Sequence, residues 1–217
     1  MTPLHIAALY TGSIARGAGV TVRLTLIGTA IGLGIGVLGA AARLRERGLA
    51  RAVATAYVEV IRGTPQILQL FIVFFGLSQF RINLSPGAAA LVWLALYGGG
   101  YGTEVLRAGL QSVEHGQHEA AAALGLSPAR AMLRVILPQA VAVVLPALTN
   151  FLVLQLKAAS LLFTIGVAGI MYEAQLGVNT TTHPGVLFGM AAVAFIIINV
   201  PLSRLGIYLE RRVAAYR

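Results

Sequence analysis

The chain has 217 residues, 58% hydrophobic and only 11% charged, whereas a soluble domain of that size carries about 25% charged residues. A mean hydropathy of +0.83 points to a bilayer as solvent. Its lack of cysteine excludes disulfides, thiolate metal sites and cysteine nucleophiles. Its net charge of +9 lies in arginine clusters between apolar runs, which argues against nucleic acid and for cations held on one side of a membrane.

In chain order, the opening MTPLHIAALYTG lacks the cationic and long apolar regions of a cleaved leader, so an integral rather than a secreted protein is expected. A spanning helix needs about 20 mostly apolar residues. Residues 20–42 meet this with Arg23 as the single charge near one end. Residues 52–79 form a second candidate, interrupted by Glu59, Arg62 and Pro65, and residues 88–106 a third, broken by Glu104. Residues 140–156 and 186–202 complete a set of about five spans. The run 158–170 is too short to cross and reads as interfacial or re-entrant. An all-α membrane protein, one transmembrane domain over residues 1–217, is the predicted fold class.

Orientation follows from the basic residues in short loops. Arg43, Arg45, Arg47 and Arg51 follow the first span. Arg107, Arg130 and Arg134 lie in the loop 107–138, and Arg204, Arg211, Arg212 and Arg217 in the tail. The opposite side has Arg16 and Arg81, and the connector 158–185 has neither Lys nor Arg. The N-terminus is therefore expected outside and the C-terminus in the cytoplasm. Gly28, Gly32 and Gly36 repeat at four-residue spacing in the first span; such small faces serve either a dimer or packing within one chain, and packing is the favoured reading.

The loop 107–138 is longer than a simple turn requires. Its EAAAAL segment from Glu119 is a strong helix former, Gly125 is placed to end it in a left-handed cap, and Ser127-Pro128 reads as the start of the next helix. The predicted result is a short rigid helix, a sharp turn, and a return to the membrane at Leu137 and Pro138. Glu119-Ala120-Ala121, Gly125, Val135, Leu137 and Pro138 then match, in order and spacing, the EAA signature of ABC importer permeases, with Val135 where that pattern has isoleucine. RGTPQILQLFIVFFGL (62–77) and LPALTN (145–150) resemble the polar amino acid uptake branch of this family. Departures are Lys157-Ala158-Ala159-Ser160-Leu161, where relatives read like KDTSL, and Gly100-Tyr101-Gly102-Thr103-Glu104, where they read like GAYxAE.

The resemblance implies the type I importer fold in a bacterial cytoplasmic (inner) membrane, with Glu119, Ala120, Ala121, Gly125, Leu137 and Pro138 as the segment that couples to a separate ATPase. It also implies a dimer of ABC ATPases, a second permease chain, identical or not, an extracytoplasmic substrate-binding protein, and surrounding lipid. The chain has no Gly-x4-Gly-Lys-Ser/Thr phosphate loop, so ATP and magnesium are expected on the partner ATPase and no cofactor or catalytic residue on this chain.

Glu59 and Arg62, like Glu104 and Arg107, are three residues apart on a helical face. Intramembrane charges pair or face a cavity, so both pairs are candidates for bracing a cytoplasmic gate, or for simple neutralisation at the interface. Asn150, Gln155 and Lys157 could meet a substrate's carboxylate or amine, or hydrogen-bond neighbouring helices. His115 and His118 in HGQHE lack metal-site spacing and a third ligand; with Gly116 between them they read as a solvated loop. A gradient-driven secondary transporter is the alternative function, but it calls for inverted repeats or acidic relays, and neither stands out.

Overall fold

The computed structural model describes residues 2–214, so Arg217 of the tail lies outside the described residues. The chain folds as helix α1 (Pro3–Arg43), α2 (Leu49–Gly63), α3 (Gln66–Phe71), α4 (Pro86–Gln111), α5 (His115–Ala123), α6 (Pro128–Ala131), α7 (Leu137–Ala158), α8 (Ile170–Thr181) and α9 (Pro184–Ala214). A π turn (Ile72–Gly76) and a 3₁₀ turn (Leu77–Phe80) prolong α3, a second π turn (Met132–Ile136) joins α6 to α7, and a 3₁₀ segment (Ala159–Ile165) ends α7.

Helix α1 begins well before the predicted residue 20. Thr2 caps it by accepting from the His5 N–H at 3.4 Å, and Pro3 fills the first turn, where a missing N–H costs nothing. At 41 residues it is about 62 Å long, twice a bilayer's hydrocarbon core. Its early part is held by protein: Ile14 packs with Ile170, Ala174 and Ala191, and Tyr10 shares a 2.5 Å hydrogen bond with Thr180.

Pro3–Arg43, Pro128–Ile165 and Pro184–Val213 are long and apolar enough to cross a membrane. The 26-residue α4 is diluted by the polar and glycine-rich run 97–104 and does not reach the same apolarity. It occupies the interior instead, with Ala89, Ala90, Trp93, Leu94 and Tyr97 buried in the main core. The run 158–170 is packed inside the protein: Ala158, Ala159, Leu162, Ile165 and Val167 are buried in that core, and Gly166, at φ +86°, turns the chain.

The second expected span departs most. Helix α2 and the Gln66–Phe80 segment meet at 112° instead of continuing straight. Pro65 forces Thr64 out of the helical region, to φ −113°, ψ 148°. The break exposes carbonyls that apolar surroundings cannot satisfy. Buried Gln69 supplies the donor: its Nε2 donates to the Ile61 carbonyl at 2.7 Å and the Thr64 carbonyl at 3.1 Å. Thr64 Oγ1 in turn donates to the Val60 carbonyl at 2.7 Å.

The glycine face of α1 is used within the chain. A Cβ on Gly28 would lie 2.5 Å from Leu94, one on Gly32 2.9 Å from the Gly98 backbone, and one on Gly36 2.9 Å from the Gly102 backbone. Numbers rise together on both helices, so α1 and α4 run parallel. Tyr101 beside Phe151 and Gly109 beside Val144 make α7 antiparallel to α4. Gly206 against Thr149 and Pro146, with Ile198 lining one cleft with Leu152 and Leu156, makes α9 antiparallel to α7. The ends of α1, α4 and α9, which bear the arginine clusters, therefore share one end of the bundle.

Gly32→Val should destabilise the chain by about 1–3 kcal/mol, since backbone on the far side cannot move aside, whereas Gly34→Val, whose Cβ meets nothing within 4 Å, should not. Thermal unfolding in detergent, followed by loss of the monodisperse species, checks the difference.

Candidate functional site

The loop after α4 builds one short helix and stops it sharply. Glu114 adopts an extended conformation at the N-cap, so α5 starts at His115, four residues before the expected Glu119. His115 and His118 are thus helical rather than in a loop, with rings stacked at 6.0 Å and His115 Nε2 3.7 Å from Glu119 Oε1. A single glycine in a helix costs only about 1 kcal/mol, which the alanine run outweighs at Gly116. Glu119 accordingly sits past the first turn, where the helix dipole does not reach it.

The helix ends as the sequence predicts. Gly125 takes φ +72°, its N–H donates to the Ala122 carbonyl at 2.9 Å, and the Leu126 N–H donates to the Ala121 carbonyl at 3.1 Å. This double bond pattern satisfies the orphan carbonyls of the last turn. Ala121 is buried, while Glu119, Ala120 and Leu124 are exposed, Leu124 at 80%. Ala121 thus lets the chain's own return segment approach, and Ala120 leaves the outer face flat.

Leu137 and Pro138 do not interrupt the chain: it is helical through Pro128–Ile165. The π turn just before Pro138 widens the helix where the proline ring would otherwise meet the carbonyl four residues back. Gln139 Nε2 donates to the Val135 carbonyl at 3.0 Å and to Gln117 Oε1 at 3.2 Å, tying this turn to α5. Beneath it Ile136 packs with Val113 and Ala140.

Glu104 gathers the arginines. It accepts from Arg43 at the end of α1, from Arg107 Nη2 at 3.0 Å, and from Arg62 at the end of α2 at 3.5 Å. Arg107 also donates to Gln111 at 2.5 Å, and the Arg62 guanidinium lies 6.0 Å from the Tyr101 ring centre. The expected Glu59–Arg62 pair does not form. Glu59 is exposed on α2, while the packing of α2 on α4, with Ile61 against Gly100, brings Arg62 to Glu104. One carboxylate thus ties three helix ends together.

The candidates on α7 divide. Gln155 is fully buried and takes the bracing role: its Nε2 donates to the Leu94 carbonyl at 3.1 Å and Thr29 Oγ1 at 3.5 Å, linking α7 to α4 and α1. Asn150, Leu154 and Lys157 are exposed, and their spacing puts them on one face of α7. Sequence reasoning missed Arg43, Gln66, Gln69 and Gln139. Gln66 donates to the Tyr97 hydroxyl at 2.5 Å. Pro65 and Pro138, each followed shortly by glutamine, were the signal available.

The model of the family described as "Binding-protein-dependent transport system inner membrane component" matches residues 32–215. The chain is 35% identical over 197 residues to the L-cystine transport system permease protein TcyB of Bacillus subtilis, covering 90% of this chain and 84% of that one. It is 34% identical over 201 residues to the glutamine transport system permease protein GlnP of Escherichia coli K12, covering 92% of each. A crystal structure of an amino acid ABC transporter with histidines superposes with a TM-score of 0.91 at 33% identity, covering 98% of this chain and 99% of its counterpart. With α5 projecting from a helical bundle and its capped turn in place, the chain belongs to the family of inner-membrane permease subunits of binding-protein-dependent ABC importers.

Proposed function

We propose that this permease moves polar amino acids or related small zwitterions inward across the cytoplasmic membrane, driven by ATP hydrolysis on a separate subunit. The observation that carries the proposal is α5, a short helix closed at its C-terminus by two backbone hydrogen bonds, with an exposed Glu119–Ala120 face and held to α7 by Gln139 and Gln117. Such a knob transmits displacement without absorbing it. Relatives named for glutamine and cystine transport support the substrate class.

In this reading ATP and magnesium sit on a dimer of cytoplasmic ATPases whose grooves receive α5. A second permease chain completes the pathway, and an extracytoplasmic binding protein delivers substrate. The shared end of α1, α4 and α9 is cytoplasmic, the N-terminus is outside, and the bent α2–α3 pair and α4 complete a set of five membrane elements. The Glu104 cluster closes the cytoplasmic end between turnovers, and Asn150 and Lys157 line the route. Co-purification from native membranes should recover a soluble ATPase in equal amount to permease chains, and uptake should persist when the ion gradient is collapsed but stop without ATP. Uptake that follows the gradient and ignores ATP would overturn the reading.

Three substitutions test the parts. Gly125→Val puts a β-branched residue at φ +72°, a strain of about 1–2 kcal/mol; membrane insertion and ATP hydrolysis should survive while uptake is lost. Glu104→Gln leaves three guanidiniums without a counter-charge and should lower uptake by about tenfold or more, as uncompensated charge in a span is costly. Glu59→Gln, at a carboxylate with no ion pair among the described residues, should transport normally. Radiolabelled amino acid uptake into proteoliposomes reads all three.

A further inference from the structure

Helix α2 does not have the surface of a spanning helix. At about 100° per residue, Ala54, Val58 and Ile61 form its buried side against α1 and α4. Leu49, Val53 and Val60 lie together on one flank, 80%, 59% and 60% exposed. Arg51, Glu59 and Arg62 lie on the opposite flank, also exposed. A helix with one apolar and one charged flank has the surface of a helix lying in an interface, the apolar flank turned to acyl chains and the charged flank to water.

Its level in the bundle agrees. Arg62 meets Glu104, which also meets Arg43 at the very end of α1. The two ends of the segment from Arg43 to Arg62 thus return to the same carboxylate, and the 112° bend then sends Gln66–Phe80 away from it. From the first turn of α2, Arg51 folds the connecting loop by donating to the Arg45 carbonyl at 2.9 Å and the Glu46 carbonyl at 2.8 Å. Arg45 and Arg47 are left exposed, with no ion pair among the described residues, and Glu46 is the loop's one acidic residue.

We propose that α2 lies in the plane of the membrane at the cytoplasmic surface, and that Arg45 and Arg47 beside it hold the phosphate of an anionic lipid whose acyl chains cover Leu49, Val53 and Val60. The side on which it lies rests on the orientation given under the proposed function. Charge chooses an anionic headgroup, and the adjoining apolar flank selects a lipid over a free phosphate ion.

The chain contains no cysteine, so single spin labels at Leu49→Cys, Val53→Cys and Val60→Cys can be read without background in the full chain reconstituted in vesicles. Equal depth just below the phosphates is expected; a difference approaching about 16 Å between the first and last, the rise of eleven helical residues, would overturn the in-plane placement. ATP-driven uptake should rise at least about threefold when phosphatidylglycerol replaces a third of phosphatidylcholine, the direction expected of a basic surface meeting anionic lipid. The Arg45→Gln/Arg47→Gln double variant should lose that rise while keeping the phosphatidylcholine rate. A rise that persists in the variant, no rise at all, or its abolition by millimolar inorganic phosphate would overturn the lipid site. Label depth needs no transport, so absence of ATP-driven uptake in every lipid would count against the permease reading alone.

Discussion

The arrangement depends on the approach of α1 to α4 at backbone distance. No hydrophobic effect draws helices together in lipid, so packing of small residues must do it. Gly28, Gly32 and Gly36 of α1 meet Leu94, Gly98 and Gly102 of α4 with no room for a methyl group. That contact fixes the parallel alignment, and the alignment sets Arg43 beside Glu104 at one end. It also leaves Gln155 just enough room to reach both helices from α7. A longer side chain on α1 would part the helices and separate these polar contacts together.

Polar side chains here serve the backbone as much as any solute. Gln69 repairs the break at Pro65, Gln139 the π turn before Pro138, and Asn199 donates to the Phe195 carbonyl at 2.9 Å within α9. At Pro65 and Pro138 an irregularity that would be costly in hydrocarbon is met from inside the protein, while Asn199 satisfies its own amide on its own helix. Bends therefore become fixed points of the architecture rather than loose joints.

How much of this was legible in the sequence depended on how local the cause was. The end of α5 was readable, because Gly125 and the alanine run act over a few residues. So was the alternative of internal packing for the glycine face. The early start of α1 was signalled by Thr2 and Pro3, but a search for apolar windows passes over a helix held by protein. The partner of Arg62 was beyond reach: Glu59, three residues away, is a reasonable local choice, and only the packing of α2 on α4 reveals Glu104. The bend itself was half visible, since Pro65 marks the break while its angle depends on Gln69 and on what α2 packs against.

The length of α1 bears on how motion crosses the membrane. A single uninterrupted helix of 41 residues behaves as a lever with its fulcrum at the glycine contact. Pivoting about Gly32 by about 10° would move its Arg43 end by about 3 Å and swing its Thr2 end through about 8 Å, given a rise of about 1.5 Å per residue. Because that far end is fastened to α8 and α9 through Tyr10 and Ile14, a small mechanical input at the arginine end emerges as a larger excursion of the opposite end of the bundle.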